Sequence, residues 1–110
     1  ERYQLATFSG HEVKQTSHEL FRDHKGIQDG ITYPPLAEFK KDWEKISPLL
    51  RDSLLNLTED QLNGPDPYGM PGKDLAFFDS ITGCTDRESY CLGQIGLYRR
   101  LLGYEAMKYE

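Results

Sequence analysis

The run FFDSITGCTDRESYCLGQIGLYRRLL, residues 77–102, decides the fold class. Counting alternately by four and three picks out Phe77, Ile81, Cys84, Glu88, Cys91, Ile95, Tyr98 and Leu102, the spacing of an inward seam on a bundle helix. Glu88 is the charged member of that seam. A buried carboxylate without a hydrogen bond, a cation or a proton is costly, so Glu88 is a candidate for a functional contact. Arg99 and Arg100 occupy the last turn, where they suit the negative end of the helix dipole, and Gly103 follows as a stop signal. Gly83, Gly93 and Gly96 interrupt the helix, each at a cost of roughly 1 kcal/mol relative to alanine. Close approach of a neighbouring helix is the expected reason.

Working outward, residues 35–57 read as a second amphipathic helix. Leu36, Phe39, Trp43, Ile46, Leu50, Leu54 and Leu57 step by three and four, while Lys40, Lys41, Asp42, Glu44, Lys45, Arg51 and Asp52 take the outer faces. Pro34 or Pro35 suits a first turn, and Pro48 inside the helix predicts one kinked rod rather than two. Thr58-Glu59-Asp60-Gln61 has capping-box spacing and predicts a short turn around Leu62. NGPDPYGMPG, residues 63–72, is turn chemistry, so the last helix is expected to start near Lys73 or Asp74 and to run over residues 74–102. Tyr104, Met107 and Tyr109 form an aromatic tail able to cover a bundle end.

Residues 10–34 read as a long connector rich in Gly and Pro, with Ser17-x-x-Leu20 as the start of a single helical turn. His11, His18 and His24 fall there without helical pairing and read as solvated loop histidines rather than metal ligands. Residues 1–8, ERYQLATF, read as the tail of a helix stopped at Gly10.

Residues 87–103, RESYCLGQIGLYRRLLG, resemble the closing helix of the DinB/YfiT-like family of metal-binding four-helix bundles, whose pattern runs His-Glu-x-Tyr-His-Leu-Gly-Gln-Ile and ends Arg-Leu-Leu-Gly. Leu92-Gly93-Gln94-Ile95 and Arg100-Leu101-Leu102-Gly103 carry the match. The resemblance implies an all-α, DinB-like up-down bundle, present in this chain as the end of helix 2, a kinked helix 3 and a long helix 4. On that reading residues 1–110 are the C-terminal part of a single DinB-like domain, and the first helix and half of the second precede Glu1. A self-standing three-helix protein is the competing expectation.

The resemblance also implies that two histidines four apart on this helix, with a third from helix 2, bind a divalent metal. The matching positions here are Arg87 and Cys91, a permanent cation and a thiol. Two chemistries follow for the group Arg87, Glu88, Tyr90, Cys91 and Gln94. Glu88 and Cys91, at i and i+3, together with a histidine from elsewhere would suit zinc or nickel, or Glu88 would bond a Tyr or Arg beside an inert buried thiol. Cys91 would alternatively react as a thiolate favoured by Arg87 one turn back. Tyr90 and Gln94 are an i,i+4 pair on the adjacent face.

A chain of 110 residues with 37% hydrophobic and 28% charged residues suits one modest core. A net charge of -5 spread over both halves argues against nucleic acid, and no apolar run suggests a membrane span. Cys84 and Cys91, seven apart on one helix, lie roughly 10 Å from each other and beyond disulfide reach, which suits a reducing, cytoplasmic setting. With part of the bundle absent, the uncovered seam predicts a homodimer or an apolar groove. The functional expectation is a DinB-like module with a degenerate metal site, binding or stress-associated and without a catalytic residue. The alternative is a metal-dependent thiol S-transferase using a low-molecular-weight thiol.

Overall fold

The computed structural model describes residues 1–69, 74–106 and 108, the side chain of His24 excepted. Lys73 as a helix start, and Met107 and Tyr109 in the aromatic tail, lie outside the described residues. The structure is all-α, with helices α1 (Arg2–Phe8), α2 (His18–Phe21), α3 (Leu36–Leu55), α4 (Glu59–Leu62) and α5 (Phe77–Leu101), and a 3-10 turn over Arg22–His24. No helix among the described residues is long and apolar enough to cross a membrane. The chain forms two compact units, Glu1–Glu59 and Asp60–Glu110.

In the first unit α1 packs on α3, burying Leu5 and Ala6 of the former and Ile46 and Leu50 of the latter. The three-four spacing of α3 brings Ile46 and Leu50 inward, but Leu36 is 68% and Trp43 50% exposed. Trp43 is covered by a cation instead, the Arg2 guanidinium lying 3.6 Å from the centre of its ring. The same guanidinium donates to the Ser47 hydroxyl at 2.7 Å, so Arg2 clips α1 to α3. α3 is continuous through Pro48.

The connector is fastened to α3 at three places. The His11 ring meets the Ser53 hydroxyl at 2.7 Å, and Ser53 is itself bonded to the Leu49 carbonyl at 2.6 Å. With the Ser53 proton on Leu49, the imidazole donates from Nε2. Farther along, the Thr16 amide and hydroxyl donate to Asp42 at 3.3 and 2.8 Å. Phe21 then stacks on Tyr33 at 5.6 Å and meets Phe39 at 6.5 Å between ring centres. His11 is thus half-buried and anchored rather than solvated, because its partner arrives from 42 residues away. Asp42, expected on the outer face, is half-buried for the same reason: Thr16 and Tyr3 both come to it.

In the second unit the loop after α4 folds back along the start of α5. The Phe77 amide donates to the Gly64 carbonyl and the Asp66 amide to the Leu75 carbonyl, both at 2.9 Å. A methyl group on Gly64 would stand 3.2 Å from the Gln61 carbonyl oxygen, a tight contact with the end of α4. That pairing holds Ala76 extended, and α5 begins at Phe77 rather than at Asp74. The Asp79 carboxylate accepts the Ala76 amide at 2.9 Å and caps the start.

Two helices end alike. Gly10 after α1 and Gly103 after α5 have φ of 94° and 84°. At α1 the His11 amide returns to Ala6 and the Gly10 amide to Thr7, and at α5 the Tyr104 amide returns to Arg99 and the Gly103 amide to Arg100. Both are Schellman closures, in which a left-handed residue lets the orphan carbonyls find donors.

Candidate functional site

All five residues singled out from the sequence lie on α5, whose N-terminal third is the part that is built around. Phe77 is buried, and Ile81, Cys84 and Glu88 are half-buried. The Asp66 carboxylate sits over this stretch, accepting the Tyr68 amide at 3.0 Å and the Ser80 hydroxyl on the same oxygen. One turn on, the Tyr68 hydroxyl and the Cys84 thiol are 3.7 Å apart. Asp66, Tyr68, Ser80 and Cys84 therefore make one polar ladder, holding the loop along one face of α5. Sequence reading placed Asp66 and Tyr68 only in a turn. The Asp-Pro-Tyr run carries the signal of an aspartate accepting its own loop amide two residues on, but nothing local names Ser80 as a second partner.

Beyond Glu88 the expected inward seam runs outward. Cys91, Ile95 and Tyr98 are exposed, as is Leu102 just past the helix end. A three-four spacing states which side chains share a face; whether a surface of the same chain covers that face is a separate matter. The interior glycines carry the same message, because a methyl group on Gly83 or Gly93 would meet nothing within 4 Å. Among the described residues nothing comes within 4 Å of either added methyl group, contrary to the close approach expected for these two glycines.

Arg87 and Cys91, one turn apart, both stand exposed on α5, and Glu88 between them is half-buried. Tyr90 and Gln94 are joined directly, the Gln94 amide donating to the Tyr90 hydroxyl at 2.8 Å, so each uses a polar group on the other. Cys84 and Cys91 are free thiols. Among the described residues, no three His, Cys, Asp or Glu side chains come together as a metal site. Arg87 offers five N–H donors and no lone pair, so it cannot replace a histidine ligand, and its charge opposes a divalent ion beside Cys91. The donor set present does not fit the metal that the family resemblance implies.

The other candidate features lie in the first unit. An open depression is lined by Thr7, Gly10, His11, Glu12, Val13 and Lys14. Its one histidine is committed to Ser53. Nearby, Tyr3 donates to Asp42 at 3.2 Å, and burial, aided by that hydrogen bond and by the carboxylate charge, raises its phenol above the ordinary value. This group fastens α1 and the connector to α3, and its chemistry is structural.

Comparison of the chain with protein-family models, with curated proteins and with solved structures finds no match.

Proposed function

We propose that this chain belongs to a DinB-like helical bundle whose metal site has degenerated, and that it serves as a binding or stress-associated module without metal-dependent catalysis. The observation that carries the reading is the pair Arg87 and Cys91 on the exposed side of α5. They occupy the two positions at which the family pattern has its histidines, and one of them is a guanidinium. A site that must hold a divalent ion tolerates a thiolate as ligand but not a fixed cation in place of its neighbour. The Leu-Gly-Gln-Ile core and the Arg-Leu-Leu-Gly ending, by contrast, are retained in a helix that closes at Gly103. The reading therefore separates a kept scaffold from a lost ligand set.

Elemental analysis of the purified protein tests it. Sub-stoichiometric zinc and nickel, unchanged in Cys91→Ala, is the expected result. Stoichiometric metal that disappears in Cys91→Ala would overturn the degenerate-site reading and favour the thiol S-transferase.

A further inference from the structure

We propose that α5 pairs with α5 of a second copy of this chain, antiparallel, about a two-fold axis passing at Gly93. The inference goes beyond the functional reading above and needs only this helix. Residues seven apart are two turns apart on nearly the same face, so Asp86, Gly93 and Arg100 form one line along α5. All three are exposed. Asp86 lies roughly 10 Å to one side of Gly93 and Arg100 the same distance to the other. A two-fold axis that reverses the helix at Gly93 brings each Asp86 level with the Arg100 of the other copy, so the opposite charges meet twice. Parallel pairing in register would set Asp86 against Asp86 and Arg100 against Arg100, and charge thus selects the antiparallel arrangement.

Size matches as well as charge. The same operation sets Ser89 opposite Leu97, which is 59% exposed, a small side chain against a large one. At the axis the two backbones come closest, and there the residue is a glycine on which, among the described residues, a methyl group would meet nothing within 4 Å. A two-fold contact requires one patch to complement itself, and this line of residues does so.

Sedimentation equilibrium on the full chain of 110 residues tests the pairing, with circular dichroism reporting helix content alongside. A reversible monomer–dimer equilibrium is expected. Arg100→Asp and Asp86→Arg should each weaken it by roughly tenfold or more, and the double variant should regain it, since the charges then meet again with signs exchanged. Gly93→Cys, in a background of Cys84→Ser and Cys91→Ser, should oxidise to a symmetric disulfide between copies, a readout independent of the charge variants. A monomeric parent chain, a dimer indifferent to both single variants, a double variant no better than either single one, or failure of Gly93→Cys to cross-link would each overturn the proposal.

Discussion

The polar contacts that fasten α3 in the unit Glu1–Glu59 reach across the sequence, whereas the ladder on α5 in Asp60–Glu110 is built from nearby residues. Tyr3 to Asp42, His11 to Ser53 and Arg2 to Ser47 join residues 39, 42 and 45 apart. In the second unit Asp66 to Ser80 and Tyr68 to Cys84 span only 14 and 16 residues. The difference follows from how each principal helix is covered. α3 is held by α1 and by a connector fastened at three places, so it is gripped along its length. α5 is gripped by one loop at its N-terminal end, and farther along Cys91, Ile95, Leu97 and Tyr98 are exposed. An amphipathic pattern therefore has two outcomes: a face filled by the same chain, or a face left for something else.

The largest expected effect that would break this comparison comes from the filled face. Leu50→Ala removes a buried side chain of α3 and should cost the first unit about 2–4 kcal/mol, while Leu97→Ala at an exposed position of α5 should cost less than about 0.5 kcal/mol in the monomer. Denaturant unfolding followed by Trp43 fluorescence and by helical signal reads both. Equal losses would mean that α5 is covered after all.

Next in size is Asp42→Ala, which takes away the acceptor shared by Tyr3 and Thr16 and should cost about 1–3 kcal/mol. It has a signature in pH. The Tyr3 phenol is raised in the folded chain, so its neutral form is favoured there. That contribution is fully present below the unfolded phenol value of about 10 and is lost as pH rises through the higher folded value. Phenolate absorbance should show Tyr3 titrating late in the parent chain and earlier in Asp42→Ala, and loss of stability on the alkaline side should be smaller in Tyr3→Phe.

The smallest effect sharpens the other side of the contrast. Gly83 is helical, exposed and open where a methyl group would go, so Gly83→Ala should stabilise α5 by about 0.5–1 kcal/mol. An increase in helix content on Gly83→Ala would confirm that no neighbour requires this glycine in the chain alone.

What the sequence made legible was local. The stops at Gly10 and Gly103, the turn after Thr58 and the Tyr90–Gln94 pair all depend on residues within one or two turns, and the structure contains each of them. The buried half of the α3 stripe, Ile46 and Leu50, was equally readable, because burial of an apolar side chain is what periodicity encodes. Cation cover over Trp43, the anchoring of His11 and the late start of α5 were not readable. Each is decided by a partner brought in by the fold: Arg2, Ser53 and the Gly64 carbonyl. At the candidate site, spacing placed Arg87, Glu88 and Cys91 within one turn. It gave no means of knowing that Arg87 and Cys91 would face outward and Glu88 only partly inward.

The third fastening of the connector closes a bight between Phe21 and Tyr33, pinned on its inner side where the Gln28 amide donates to the Tyr33 hydroxyl at 2.9 Å. Between Phe21 and Tyr33 the backbone turns at Gly30, and Ile27 is 83% exposed. Lengthening a tethered bight adds only slowly to its closure entropy, so a peptide tag spliced between Asp29 and Gly30 should leave the folded unit intact. For the same reason a protease should nick the chain there first, and the two pieces should stay together on a gel-filtration column, clasped by Phe21, Tyr33 and Phe39.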